Sequence, residues 1–334
     1  MSDVNKLKQD IQALDARIDD LCREKQTLNR EYRKLTKTEE LVNDRFVIYR
    51  RWNDDHREPI KDPFVVYQGE PGAFSEMAAI NYFGKGVKTK GLYSFEDNFK
   101  ALRWGEADYA VLPIENSSTG AIRQVYDLLG QYACFMVGET TVKVNQSLMV
   151  LPGTKMEDIT TVYSHEQGLF QCEQFLNQHR DWRQVPQADT AGSAKMVAEM
   201  GDPHIAAICS SRAAEIYGLE VLIPVVNYNA CNTTRFVVIS PRMEFREGRD
   251  KVCISFKAPH ESGSLFEILS LFKTNHLNLV KLESRPVIGR NWEYMFFMEF
   301  TGDLQAEGMD IIMQQLVDAT SDLRVYGNFP SNLE

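Results

Sequence analysis

The chain is short of several features that would each settle its class. No apolar run approaches the roughly 20 residues that a bilayer-crossing helix needs. Met1-Ser2-Asp3-Val4-Asn5-Lys6 lacks the apolar core of a secretory leader, so the expectation is a cytoplasmic protein with no membrane contact. Six cysteines (Cys22, Cys134, Cys172, Cys209, Cys231, Cys253) stand apart with no Cys-x-x-Cys pair. They read as reduced, mostly buried thiols, and not as disulfides or zinc ligands. The six histidines form no metal-spaced pair with a nearby Cys or Asp, so no metal is expected. Positive charge is scarce: 37 Lys and Arg stand against 47 Asp and Glu, a net −10. Residues 1–62 hold fourteen of each sign, so the whole surplus lies in residues 63–334. An acidic body without a basic stripe argues against a nucleic-acid partner, and any anionic ligand must be met by a local positive site.

What is there divides into three stretches. A length of 334 residues suggests two or three domains, with hydrophobic and charged content ordinary for a globular chain. Residues 4–36 carry one long helical pattern in which Leu7, Ile11, Leu14, Ile18, Leu21 and Leu28 follow 4-3 spacing, broken by Lys25. Such a seam, on a helix of about 50 Å, needs a partner helix, and a dimerising coiled coil is its plain reading. The helical region is placed at 1–50 and a charged, proline-ended linker at 51–63. From Phe64 to about Pro241 apolar strands alternate with helical patterns, which predicts an α/β fold with mainly parallel sheet. Strands are expected at Phe64–Tyr67, Tyr109–Pro113, Ile159–Tyr163, Ile205–Cys209 and Phe236–Ile239. Helices are expected at Ser75–Phe83, Phe95–Arg103, Thr119–Leu129, Gly168–Asn177, Ala191–Met200 and Ser211–Tyr217. The spacing suggests two lobes, 64–135 plus 225–245 and 151–223, with Met136–Leu151 crossing between them; a ligand cleft belongs between such lobes. Residues 250–330 change to a βαββαβ, ferredoxin-like order.

Four motifs carry chemistry. Asn232-Thr233-Thr234-Arg235-Phe236-Val237 sets a hydroxyl and a guanidinium side by side at the mouth of a strand, where alternation sends neighbours to opposite faces; one of the two should meet a cleft. Gly69-Glu70-Pro71-Gly72-Ala73-Phe74-Ser75 follows a strand and opens a helix, a geometry suited to an anion. It is neither a Walker loop nor a dinucleotide fingerprint. Pro113-Ile114-Glu115-Asn116-Ser117 ends a buried strand, where ligands sit in open α/β sheets. Glu283-Ser284-Arg285-Pro286 lies downstream, after the second strand of the C-terminal unit. His165 and Gln167 join another strand end to a helix, and Asp189-Thr190 open a further one.

Together these four motifs resemble prephenate dehydratase followed by its ACT regulatory domain, across residues 64–329. The resemblance implies a two-lobed, periplasmic-binding-protein-like dehydratase domain at 64–245 and a phenylalanine-binding ACT domain at 250–330. The substrate is then prephenate, or arogenate with the same motifs, and no cofactor is called for. Thr234 is implied as catalytic, with Ser75, Asn116, Ser117, Gln167, Thr190, Arg235 and Phe236 as substrate contacts. Arg235 would anchor a carboxylate or hold the loop, Phe236 would wall the ring, and Glu115 would stand behind the substrate contacts. Gly263, Ser264, Leu265, Glu283, Ser284, Arg285 and Pro286 are implied as the effector site. Glu283 and Arg285 would meet an amino acid directly or pair with each other. The N-terminal helix, through Lys8, Ile11, Leu14-Asp15, Ile18, Leu21 and Lys25, resembles the first helix of an all-helical chorismate mutase. With lysines where that family clamps substrate by arginines, and no room for its third helix, it reads as a remnant kept for assembly. A homodimer or homotetramer is implied. Bifunctional mutase–dehydratase and non-catalytic amino-acid sensor are the other readings, and an intact Thr234-Arg235-Phe236 speaks against the sensor.

Overall fold

The computed structural model describes residues 58–287 and 293–332, with positions 6, 10, 13, 14, 17 and 21 near the N-terminus. Those six positions are helical, and Leu14 and Leu21 on the expected seam are exposed. Leu7, Lys8, Ile11, Asp15, Ile18, Lys25 and Leu28 lie outside the described residues, as does the linker before residue 58. The chain forms two units, one of residues 57–248 with 329–334, the other of residues 249–328 with the N-terminal segment.

The first unit holds two sheets. Its elements run β1 (Phe64–Gln68), α1 (Phe74–Phe83), β2 (Lys88–Leu92), α2 (Phe95–Trp104), β3 (Tyr109–Asn116), β4 (Gly120–Ala121), α3 (Arg123–Tyr132) and β5 (Phe135–Lys143). Then come β6 (Ser147–Val150), β7 (Thr161–His165), α4 (Glu166–Gln171), α5 (Glu173–Leu176), β8 (Arg183–Gln187), α6 (Thr190–Met200), β9 (Ile205–Cys209), α7 (Ser211–Tyr217), β10 (Glu220–Ile223) and β11 (Thr233–Ser240). The first sheet is ordered β2-β1-β3-β11-β5, with β4 added to β3; the second is β10-β6-β9-β7-β8. Two lobes follow, joined by residues 144–146 and 224–232. These crossings are bonded to each other: the Val226 N–H donates to the Gln146 carbonyl (2.8 Å) and the Val144 N–H to the Asn232 carbonyl (2.8 Å).

The sheets are mixed, not mainly parallel. β1 runs parallel to β2 and β3, and β7 to β8 and β9, but β11 is antiparallel to β3 and β5, and β6 to β9 and β10. The reason lies in the crossings: β6 and β11 each enter their sheet directly from the other lobe and need no right-handed helical return. Met136–Leu151 is therefore not all crossing, because β5 completes the first sheet. Two further elements shift. The helix expected from Thr119 starts at Arg123, because Gly120-Ala121 fold back on β3 opposite Asn116 and Glu115. The helix expected over Gly168–Asn177 breaks at Cys172, where the Gln171 carbonyl accepts the Tyr228 N–H (3.1 Å) instead of extending one continuous helix.

Packing follows burial of each sheet's faces. Val65, Tyr109, Val111, Phe236 and Val238 form the core of the first lobe with Ala78 and Ala79 of α1. Leu148, Val162, Ile208, Cys172 and Trp182 pack on one face of the second sheet, Met149, Ala191, Ala194 and Ala207 on the other.

The second unit is β12 (Lys251–Lys257), α8 (Ser264–Thr274), β13 (Leu279–Pro286), β14 (Tyr294–Thr301), α9 (Met309–Ala319) and β15 (Ser321–Phe329), with strand order β13-β14-β12-β15. This is the βαββαβ order expected. Glu283–Pro286 is the end of β13 and not a loop after it, since Glu283, Ser284 and Arg285 pair with Phe297, Phe296 and Met295.

Candidate active site

Between the lobes of the first unit lies a cavity of about 510 Å³. Strand ends build it, as they must where parallel strands of two facing sheets point at one gap. β1 leads to Gly69, Ala73, Phe74 and Ser75; β3 contributes Pro113 and Asn116; β7 leads to His165, Gln167 and Gly168; β8 leads to Ala188, Asp189 and Thr190. The antiparallel β11 enters with Thr234 and Phe236.

Thr234 sits opposite Asn116 in the β11–β3 ladder. The Asn116 amide is fixed in orientation because its Oδ1 accepts the N–H groups of Ser118 (2.9 Å) and Thr119 (3.2 Å). Its Nδ2 is then the donor, to Thr234 Oγ1 (2.8 Å) and to Asn232 Oδ1 (2.8 Å). A hydroxyl that accepts on its oxygen keeps its own proton for another acceptor. Among the described residues none accepts that proton, and Thr234 faces the cavity.

Among the described residues no Lys or Arg lines this cavity. Its positive end is the start of α1, where no side chain caps the helix and Ser75 adds a hydroxyl. α6 opens on it too, but Asp189 already accepts the Gly192 N–H there (2.6 Å). His165 Nδ1 accepts the Gln167 N–H (3.2 Å) and so caps the start of α4. Nearby cations are spent on the glycine loop. Lys195 of α6 meets Glu70 at 3.2 Å and Arg212 of α7 meets Glu76 at 2.9 Å. The same Glu76 carboxylate accepts the Gly72 N–H (2.9 Å), and Ser210 donates to the Gly72 carbonyl. The loop of one lobe is thus latched to two helices of the other. Burial, followed by the Glu76 charge, pushes the Tyr67 hydroxyl behind the loop well above its ordinary range.

Of the residues the sequence singles out, Ser75, Asn116, Gln167, Thr190, Thr234 and Phe236 line one cavity. Arg235 does not: alternation turns it to the other face of β11, where it is 7% exposed between Glu139 (3.4 Å) and Glu115 (3.8 Å). Ser117 also turns away, bridging the strand ends by donating to the Thr233 carbonyl (2.9 Å) and accepting the Thr233 N–H (3.0 Å). Gln146 and Gln171 were not foreseen. Both are buried in the cavity wall, with Gln146 Nε2 donating to Gln171 Oε1 (3.3 Å) and Gln146 Oε1 without a hydrogen-bond partner among the described residues. The available signal was the polar Asn145-Gln146-Ser147 step between Val144 and the apolar Leu148-Met149-Val150.

In the second unit, Lys257 of β12 and Arg285 of β13 both register on Met295 of β14. The Gly263-Ser264-Leu265 turn that follows β12 and the Glu283–Pro286 stretch therefore share one end of the sheet. Gly263 takes a left-handed conformation (φ 87°) to start α8, and Ser264 donates to the Pro259 carbonyl (2.6 Å). The two faces separate the rest. Phe272 of α8 packs on Phe300, whose face of the sheet holds Phe296 and hence Ser284; Glu283 and Arg285 alternate to the opposite face.

A model of the prephenate dehydratase family matches residues 65–244. A bifunctional chorismate mutase/prephenate dehydratase of Enterobacter agglomerans is 36% identical, over 80% of this chain and 70% of its own length. Arogenate dehydratase 3, a chloroplastic protein of Arabidopsis thaliana, is 37% identical over 80% of this chain and 67% of its length. Among solved structures, GqqA, a quorum-quenching acylase, superposes with a TM-score of 0.73 at 28% identity, covering 80% of this chain and 98% of its own. A prephenate dehydratase from Arthrobacter aurescens in complex with L-Phe superposes at 0.72 and 28%, covering 80% and 90%.

Proposed function

The chain belongs to the prephenate dehydratase family and is a carbon–oxygen lyase; we propose that it uses Thr234 to help hydroxide leave the ring of prephenate, and that phenylalanine inhibits it. The reaction needs little from the protein beyond geometry. As the ring carboxylate departs as CO2, its bonding pair enters the ring. The ring becomes aromatic by expelling the C4 hydroxyl with the C–O pair, and a proton turns that hydroxide into water. Phenylpyruvate remains. The enzyme must hold two carboxylates, fix the ring, and offer a hydrogen bond to the leaving oxygen.

The observation that carries this reading is the Asn116 amide donating to Thr234 Oγ1 at 2.8 Å. It points the threonine's proton into the cavity while Phe236 and Phe74 wall the ring. A threonine is too weak an acid to protonate hydroxide outright. An oriented donor in a dry site nonetheless stabilises the charge as it develops. The uncapped start of α1 with Ser75 suits one carboxylate; Thr190 and Gln167 face the same space from the second lobe. Arg235 acts on this site through the strand it holds.

The test is phenylpyruvate formation from prephenate by the purified protein, with Thr234→Ala and Thr234→Ser beside it. A mutant slowed by about 10²–10³, partly restored by serine, supports the assignment; an alanine variant as fast as the parent removes it. Arogenate belongs in the same assay, because an arogenate dehydratase is as similar to this chain as the bifunctional enzymes are. A higher kcat/KM on arogenate would transfer the reading to that substrate. For inhibition, the second unit supplies Gly263, Ser264 and Leu265 and the Glu283–Pro286 strand end. Arg285→Ala should lose phenylalanine inhibition and keep its basal rate; undiminished inhibition would move the effector elsewhere.

A further inference from the structure

β11 is held unevenly near Thr234. On the β3 side the ladder pairs Thr234 with Asn116 and Arg235 with Glu115, then skips Ile114 to pair Phe236 with Pro113. A proline has no N–H to give, so β3 holds the strand less firmly at that step, while on the other side β5 pairs Phe236 with Thr140 without a break. Below it, Arg235 is buried against Glu139, a carboxylate on β5 that is 0% exposed. A buried ion pair keeps its geometry only when the remaining lone pairs are satisfied. Glu139 Oε1 accepts the backbone N–H of Asn332 at 3.0 Å. The chain leaves β15 at Phe329 and within three residues supplies that donor.

We propose that residues 330–332 form a strap that positions the catalytic strand. The Asn332 N–H holds Glu139, Glu139 holds Arg235, and Arg235 fixes the backbone that carries Thr234. Asn332 is thus a positioning residue and touches no reacting atom. The inference rests on Thr234 serving the reaction, and it assigns a positioning purpose to the buried pair and to residues 330–332.

The strap acts through a main-chain donor, which gives the test its discrimination. Asn332→Pro deletes the N–H, whereas Asn332→Ala keeps it. Strand misplacement on the scale of an ångström costs up to 10²-fold, so Asn332→Pro should lower kcat about tenfold with KM for prephenate and Tm nearly unchanged. Asn332→Ala should restore the parental rate. Glu139→Gln should slow the enzyme likewise, and adding Asn332→Pro to it should slow it no further, since the two changes break one chain of contacts. A chain ending at Phe329 is the second variant, with the same expected fall in kcat. A parental kcat in Asn332→Pro overturns the proposal. So does an Asn332→Ala variant as slow as the proline one, or additive losses in the double mutant. Thr234→Ala is measured in parallel: if it stays fast the threonine reading fails, independently of what the tail variants do.

Discussion

The two lobes of the first unit share one sheet plan and differ in what the strand arriving from the other lobe carries. Each has three parallel strands in the order second-first-third, then an antiparallel strand, then a last one: β2-β1-β3-β11-β5 and β8-β7-β9-β6-β10. Each aims its strand ends at the cavity. In the second lobe that strand is β6, Ser147-Leu148-Met149-Val150, buried throughout, with no charge. In the first lobe it is β11, also buried, but it carries Thr234 toward the cavity and Arg235 toward Glu139. Burying a charge is costly unless it is paired, so the first lobe maintains an arrangement that packing alone would replace with apolar residues. The plan is the scaffold; the chemistry is concentrated where one strand breaks the apolar rule.

The sharpest way to break this comparison is to substitute the two strands in turn. Thr234→Ala should cost about 10²–10³ in kcat with little change in Tm. Leu148→Ala, at a fully buried position of β6, should do the reverse, losing roughly 2–5 kcal/mol of stability with kcat per folded molecule unchanged. Steady-state rates beside chemical denaturation curves give both readouts. Equal damage to kcat from the two substitutions would mean that the lobes are not divided into chemistry and support.

Much of this division was legible in the residues. The apolar run after Thr234, the strand end at Asn116 and the glycine turn before Ser75 each announced a strand meeting a cleft, and strand parity required Thr234 and Arg235 to part. Which of the two faces the cavity was not legible, because parity is relative until one neighbour is placed. Ser117 failed for a similar reason: the turn back at Gly120-Ala121 rotates it onto the Thr233 backbone. Edge strands were missed because they read as polar loops. Lys88–Leu92 alternates lysines, and Arg183–Gln187 contains Pro186, both devices that suit an unpaired edge. Gln146 and Gln171 come together only through the fold, 25 positions apart in sequence.

The latch between lobes sharpens the comparison further, with a smaller expected effect. Gly72 adopts φ +93°, and a Cβ there would stand 2.7 Å from the Ala213 Cα of α7. Gly72→Ala must therefore strain the turn and push the lobes apart. The expected result is KM for prephenate raised about tenfold, with a stability loss of roughly 1–3 kcal/mol. Arg212→Ala opens the latch without strain. Its side chain is 37% exposed, so solvent screening limits the loss to about 1 kcal/mol or less, with a rise in KM of a few-fold. If Gly72→Ala lowers kcat and spares KM, the loop serves the chemistry and not closure.

Alkaline pH separates the lobes most gently. In the first lobe, burial followed by Glu76 raises Tyr67, and burial with the Glu244 hydrogen bond raises Tyr109. Burial also raises Tyr82, against the opposing Arg246. In the second lobe burial with Glu70 lifts Tyr217 to about 12. A phenol whose folded value exceeds its unfolded value of about 10 contributes stability that is complete below that unfolded value. The contribution is lost as pH rises from there through the folded values. Stability should therefore hold to about pH 9 and fall steeply above 10, with first-lobe amides losing protection from hydrogen exchange before those of β6, β9 and β10. Tyr109 and Tyr82 share the Glu244–Arg246 pair, at 2.6 Å to Glu244 and 2.8 Å to Arg246 respectively, so both should ionise together with that loss of protection. Tyrosinate absorbance rising near pH 10 without any loss of protection would mean that these phenols are open to solvent, and the first lobe would then owe its rigidity to β11 alone.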